Sequence, residues 1–248
     1  MEGISIMAKK KKVMLFLVEG KSEREALEAL ISNIIKNDLV VFQVMEGDIT
    51  SDIYSTPQNI KRLINQKIEE YRAESKVKKS DILSVIHLMD IDGAYINNEE
   101  FMIENNNIEK GFKYYPDGIH AQNKQKIKDR NTKKSSMMNL LSTTNQISTI
   151  NYRAYYFCCN LDHVLYDEAN LESRLKVDYA YDFQDEYFDN EIEFINFMLK
   201  SDFAVNGEYK ETWDFLKEEL NSLGRYSNFN LFFSDFGEYI KDEYRDVL

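Results

Sequence analysis

The stretch Val13-Met14-Leu15-Phe16-Leu17-Val18-Glu19-Gly20 decides how the rest of the chain reads. Six consecutive apolar side chains show neither helical spacing nor two-fold alternation, and they end in an acid and a glycine. That pattern fits a strand buried on both faces, as in a parallel sheet covered by helices. Ser22 then fits a helix N-cap, with Glu25 three residues on completing a capping-box pattern. Ala26, Leu27, Leu30, Ile31, Ile34 and Ile35 follow at helical spacing.

Working outward, the same alternation of elements continues. Leu39–Met45 reads as a second strand. Pro57 suits a first helical turn, and Ile60, Leu63, Ile64, Ile68 and Tyr71 mark an amphipathic helix. Ile82–Met89 is a third apolar run, and it ends in Asp90-Ile91-Asp92-Gly93. Met137–Leu141 begins a short helix, and Tyr152–Cys159 is a fourth strand closed by Asn160-Leu161-Asp162-His163. This order predicts an α/β fold with a mostly parallel four-stranded core sheet and helices on both faces. Beyond residue 163 the spacing turns helical, through Phe194, Ile195, Phe197, Met198, Trp213, Phe215, Leu216 and Leu220. The predicted organisation is an α/β core over 1–165, with a basic insertion at 109–136, and an acidic, mainly helical part over 166–248. With 248 residues, one domain or a domain plus a subdomain is expected.

Composition narrows the function classes. Up to Cys159 the chain carries 23 Lys and Arg against 21 Asp and Glu; after it, 8 against 22. The acidic C-terminal part is a solvated face, a docking surface for a basic protein partner, or a region kept off nucleic acid. Cys158 and Cys159 are adjacent and read as reduced thiols, and two Cys with three scattered His make no zinc site. The basic run Lys9–Lys12 precedes an apolar stretch too short for a signal core or a membrane span. A cytoplasmic protein with no membrane association is therefore expected; a homodimer stays open.

In open parallel α/β sheets, ligands bind beyond the carboxyl ends of the strands. Three of the four expected strands end in acids: Glu19, the pair Asp90 and Asp92, and Asp162. Such a cluster repels itself without a cation, and hard oxygen donors suit Mg²⁺ or Mn²⁺. Alternation along a strand end would place Asp90 and Asp92 on one side, and Gly93 would allow a sharp exit. The helix start after Glu19 offers unpaired N–H groups to a phosphate.

Leu17-Val18-Glu19-Gly20-Lys21-Ser22-Glu23 and Leu88-Met89-Asp90-Ile91-Asp92-Gly93 resemble the strand-end glutamate and paired-aspartate motifs of the Toprim domain. That family includes type IA topoisomerases, bacterial-type primases, small maturation ribonucleases and the overcoming-lysogenization-defect nucleases. The resemblance covers roughly residues 13–165. The layout is similar to small stand-alone Toprim effectors of bacterial phage defence, including the PARIS effector and RloB-like proteins. It implies a Mg²⁺- or Mn²⁺-dependent nuclease acting on DNA or RNA. Glu19 would be the acid/base or a metal-proximal carboxylate, Asp90 and Asp92 would be metal ligands, and Glu23 and Asp162 would be further candidate ligands. The alternatives are a primase-like nucleotidyl transferase and a non-catalytic module that binds nucleic acid or a partner.

Between the third and fourth strands, residues 110–134 hold Lys110, Lys113, Lys124, Lys126, Lys128, Arg130, Lys133 and Lys134 against Asp117 and Asp129, with Tyr114, Tyr115 and His120 interleaved. Cations track phosphates and aromatic faces stack on unpaired bases, so Lys124, Lys126, Lys128, Arg130, Lys133 and Lys134 are the candidate nucleic-acid contacts. His87 reads as a core histidine; His163 could reach the site.

Overall fold

A computed structural model describes residues 12–36, 39–44 and 47–248. Lys9–Lys11 of the basic run and Met45 at the expected end of the second strand lie outside them. The strands are β1 (Val13–Val18), β2 (Leu39–Val44), β3 (Ile82–Asp90), β4 (Met102–Glu104), β5 (Lys113–Tyr115), β6 (Gly118–Ala121), β7 (Gln146–Ile147), β8 (Ile150–Cys158) and β9 (Tyr226–Ser227). The helices are α1 (Lys21–Ile34), α2 (Ile60–Ser75), α3 (Lys124–Ser142), α4 (Leu161–Tyr166), α5 (Lys176–Tyr187), α6 (Glu191–Lys200), α7 (Tyr209–Phe215) and α8 (Asn230–Asp235).

The main sheet runs β2-β1-β3-β8-β7, with β9 also paired to β8. The four longer strands are mutually parallel, and β7 and β9 add to β8 antiparallel. β1 is buried along its whole length because its two faces feed two cores. Met14, Phe16 and Val18 pack with Ala26, Leu27 and Leu30 of α1 and with Phe194 and Phe232 of the C-terminal part. Val13, Leu15 and Leu17 pack with Ile60, Ile64 and Ile68 of α2 and Met137, Met138 and Leu141 of α3. Of the C-terminal helices, α5, α6 and α8 thus cover the α1 face of the sheet, while Trp213 of α7 joins the opposite core.

Several local expectations are corrected. The first helix begins at Lys21, with Gly20 in extended conformation at its N-cap and no side chain capping it. Ser22 lies inside the helix, where its hydroxyl donates to Glu23 Oε2 at 3.2 Å, and Glu25 pairs with Arg24 at 2.7 Å. Pro57 sits in the turn before α2, not in its first helical turn.

The short helix expected at Met137 is the end of α3, which starts at Lys124 because Asn123 Oδ1 accepts the Gln125 N–H at 2.7 Å. Its inward stripe is Ile127, Asn131, Lys134, Met138 and Leu141. Two polar residues in that stripe disguise its periodicity in the sequence. Upstream, a small sheet of order β4-β6-β5 forms a second layer over Ile119, Ile127 and Leu223.

Among the described residues no helix is long and apolar enough to cross a membrane.

Candidate active site

The chain leaves β1 through α1 to reach β2 on one side, and returns through α2 to β3 on the other. The topological switch point is therefore the crevice between the carboxyl ends of β1 and β3. Glu19 and Asp90 flank it, and the Asp90 N–H donates to Glu19 Oε1 at 3.4 Å. The N-terminus of α1, lacking a side-chain cap, opens beside Glu19.

The acids divide between the two faces of the sheet. Asp90 Oδ1 accepts the Leu161 N–H at 2.9 Å, at the start of α4. Burial pushes Asp90 well above the usual carboxylate range; Glu23 and Asp92 add to this, while Lys134 and Lys176 oppose it. Asp92 does not continue the strand. Its backbone is left-handed (φ 55°) and its N–H donates to Cys159 O at 2.6 Å.

Asp92 Oδ2 accordingly lies 2.5 Å from Lys134 Nζ and 3.9 Å from Arg130 Nη1, while Oδ1 accepts the Tyr114 hydroxyl at 2.9 Å. The expected convergence of Asp90 and Asp92 on one side is corrected: the left-handed turn sends Asp92 toward α3, whereas Asp90 is held by α4. Asn131 Nδ2 pins the same turn by donating to Gly93 O at 3.1 Å and Ile96 O at 2.8 Å.

Gly93 also has a positive φ (67°), and an added Cβ would come within 2.8 Å of both Leu223 and Ile119 side chains. Gly93→Ala is expected to lower stability by at least about 1–2 kcal/mol from the left-handed backbone alone. Denaturant unfolding checks this, and an unchanged midpoint would show that the turn relaxes freely.

Lys134 is the centre of the α3 side. It is fully buried, and its ammonium bridges Asp92 and Asp48 Oδ2, the latter at 2.6 Å. Burial opposes its charge, yet Asp48, Asp92 and Glu19 hold its pKa well above the usual lysine value. Asp48 also accepts the Thr50 N–H at 2.7 Å and hydroxyls from Thr50 and Ser51, each at 2.5 Å. Burial works against its ionisation, but Lys134 and these donors hold it well below the usual carboxylate range. Glu19, partly buried, is pushed well up by burial and by Asp48, with Lys134 opposing and Asp90 and Asp92 adding.

Asp48 was not among the candidates read from sequence. It obeys the same strand-end rule, but three residues separate it from β2 and obscure it.

The other candidates fall out as follows. Glu23 is buried and acts on Asp90. Asp162, as a metal ligand, is corrected: it is buried in an ion pair with Lys176 at 2.6 Å, which commits an oxygen to α5. His87 is a core histidine, its Nδ1 2.7 Å from the Tyr152 hydroxyl and its pKa lowered by burial to about 3. His163 Nδ1 lies 3.3 Å from the Cys159 N–H.

The basic segment is not one continuous patch. Lys134 as a surface contact is corrected by its burial. Lys128 pairs with Glu99 at 2.6 Å, Lys124 reaches Glu99 O at 3.2 Å, and Lys133 donates to Asp52 O. Lys126 is exposed. The Arg130 side chain is 9% exposed, with its guanidinium 4.4 Å over the Phe112 ring, and its Nε and Nη2 have no hydrogen-bond partner. Unpaired buried guanidinium donors beside an acidic crevice favour an anion.

Among the described residues no group of three or more His, Cys, Asp or Glu side chains is disposed to hold a metal ion by itself. Mg²⁺ does not require such a set: it is commonly held by one or two carboxylates, with waters and substrate phosphate completing its shell. Glu19 and Asp90 meet that requirement. Both are hard oxygen donors at the switch point, and both are pushed toward the neutral acid, first by burial and then by neighbouring carboxylates. Comparison with family models, with curated proteins and with solved structures finds no match.

Proposed function

We propose that this chain is a divalent-cation-dependent phosphodiesterase that cleaves nucleic acid, with a Toprim-like core. The observation that carries the reading is the meeting of Glu19 and Asp90 at the β1/β3 switch point, within the charge field of Asp48 and Asp92 and beside the uncapped start of α1. The parallel order β2-β1-β3-β8, with acids after β1 and β3, also supports it.

Glu19 and Asp90 would hold Mg²⁺ or Mn²⁺, which supplies Lewis-acid stabilisation of a phosphoryl oxygen. The remaining chemistry belongs to the chain. The α1 N–H groups orient a phosphate. Glu19, at the mouth of the crevice, would give one oxygen to the cation and leave the other facing water or a leaving oxygen. Arg130, buried 3.9 Å from Asp92 Oδ2, adds positive charge to the α3 side of the crevice. Phe112 and Tyr114 cover the guanidinium and exclude water from it.

Labelled DNA and RNA incubated with Mg²⁺ or Mn²⁺ test this, with wild type beside Asp90→Asn. The amide still accepts the Leu161 N–H but loses the charge. Cleavage by wild type and none by Asp90→Asn is expected; equal cleavage by both overturns the assignment. Chain growth from nucleotides on a template would indicate a nucleotidyl transferase instead. One observation favours a non-catalytic nucleic-acid-binding module: Lys134 already engages Asp48 and Asp92. Binding without cleavage by wild type would select that reading.

Substrate contact outside the crevice falls to the exposed side of α3. Replacing Lys124, Lys126 and Lys128 with Gln is expected to weaken nucleic-acid affinity and to lower its salt slope by up to about 3. Binding measured across salt concentrations checks this, and an unchanged slope would return the segment to a solvated helix face.

A further inference from the structure

The carboxylates at the switch point form two groups, and only one of them has an ammonium in direct contact with its acids. On the α3 side, the Lys134 ammonium lies 2.6 Å from Asp48 Oδ2 and 2.5 Å from Asp92 Oδ2. It is fully buried, and it reaches the crevice from the interior stripe of α3, where an apolar residue would be ordinary. A buried ammonium between two carboxylates occupies the place a bound metal ion would take. On the other side, Asp90 and Glu23 have no cation in direct contact: the Lys176 ammonium touches Asp162 at 2.6 Å and reaches Asp90 and Glu23 only through its charge. Glu19 lies between the groups, linked to Asp90 through the Asp90 N–H and to Lys134 by charge.

We infer that Lys134 is a resident cation filling one of two cation positions, so that the chain takes a single divalent ion, at Glu19 and Asp90, and that removing the ammonium opens a second divalent site between Asp48 and Asp92. The placement of the single ion rests on the phosphodiesterase reading; the role of Lys134 does not. Asp92 is then a partner of Lys134 and not a metal ligand, even though it stands in the paired-aspartate motif. Asp48 is pre-built as the other arm, because Thr50 and Ser51 fix both of its oxygens. Tyr114 steadies Asp92 through its other oxygen, and Arg130 lies 3.9 Å from the oxygen that Lys134 holds. An ammonium cannot exchange with solvent metal, so this half of the site keeps its charge whatever the metal concentration.

The test counts tightly bound Mn²⁺ on the full chain by equilibrium dialysis, and follows melting in EDTA and in Mn²⁺. Wild type is expected to bind one ion. Lys134→Met is expected to bind two, to melt lower than wild type in EDTA, and to regain most of the loss in Mn²⁺. Lys134→Arg keeps one ion, because the guanidinium retains the charge. Asp48→Asn in the wild-type background also keeps one ion, which provides a reading even if Lys134→Met does not fold.

Two ions on wild type, or loss of the wild-type ion in Asp48→Asn, would overturn the inference. A folded Lys134→Met that gains no ion would do the same. No ion on wild type but one on Lys134→Met would support the resident cation while sinking the phosphodiesterase reading. No ion on either would sink both.

Discussion

Replacing Lys134 with Met is expected to destabilise the fold by about 3–5 kcal/mol in metal-free buffer, the usual cost of breaking a buried ion pair from one side. The reason is local. The side chain is fully buried, and its ammonium separates Asp48 from Asp92. Met fills nearly the same volume, so the loss is electrostatic and not a cavity. Two carboxylates would be left facing each other with little water, and one of them would have to take up a proton. Urea unfolding in EDTA measures the effect. Pairing the change with Asp48→Asn should recover part of it, because one of the stranded charges is then gone. A loss below about 1 kcal/mol would mean that the triad behaves as a solvent-screened surface pair.

Glu19→Gln is expected to slow cleavage by about 10²–10⁴-fold, the range for removing a general acid or base. The amide can still accept the Asp90 N–H that the glutamate now accepts at 3.4 Å, so the local geometry survives. What disappears is the negative charge and the ionisable oxygen of the carboxylate. Single-turnover cleavage beside direct measurement of nucleic-acid binding separates the roles. Lower turnover with binding kept supports proton transfer. Weaker binding with turnover kept would mean that Glu19 only attracts the cation.

The sheet was legible in the sequence because parallel strands buried on two faces cannot be polar. Val13–Val18 announced itself as an unbroken apolar run and Ile82–Met89 as one interrupted only by Ser84 and His87, and both are strands. The acids that end them stood out for the same reason. Asp90 and Asp92 were recognised, but their divergence was not, because the left-handed backbone at Asp92 breaks the alternation that a strand end suggests.

Lys134 was the hardest residue to read. A lysine in a basic run looks like surface, and its burial appears only when Ile127, Asn131, Lys134, Met138 and Leu141 are seen as one helical stripe. Asn131 and Lys134 are polar in that stripe because they grip the turn after β3 and the carboxylates beside it. Asp48 was missed because its distance from β2 hid a strand-end acid. The small sheet of β4, β5 and β6 went unseen because strands of three or four residues leave no periodicity to detect.

The central claim is that Glu19 and Asp90 together hold a divalent cation at the β1/β3 crevice. Its most direct test is a Mn²⁺ titration followed by electron paramagnetic resonance, comparing wild type with Asp90→Asn. The account predicts a tight Mn²⁺ signal for wild type and an affinity at least about tenfold weaker for the variant, since even supporting groups around a metal are worth that much. Equal Mn²⁺ affinity in the two proteins, or no tight uptake by wild type, would contradict it.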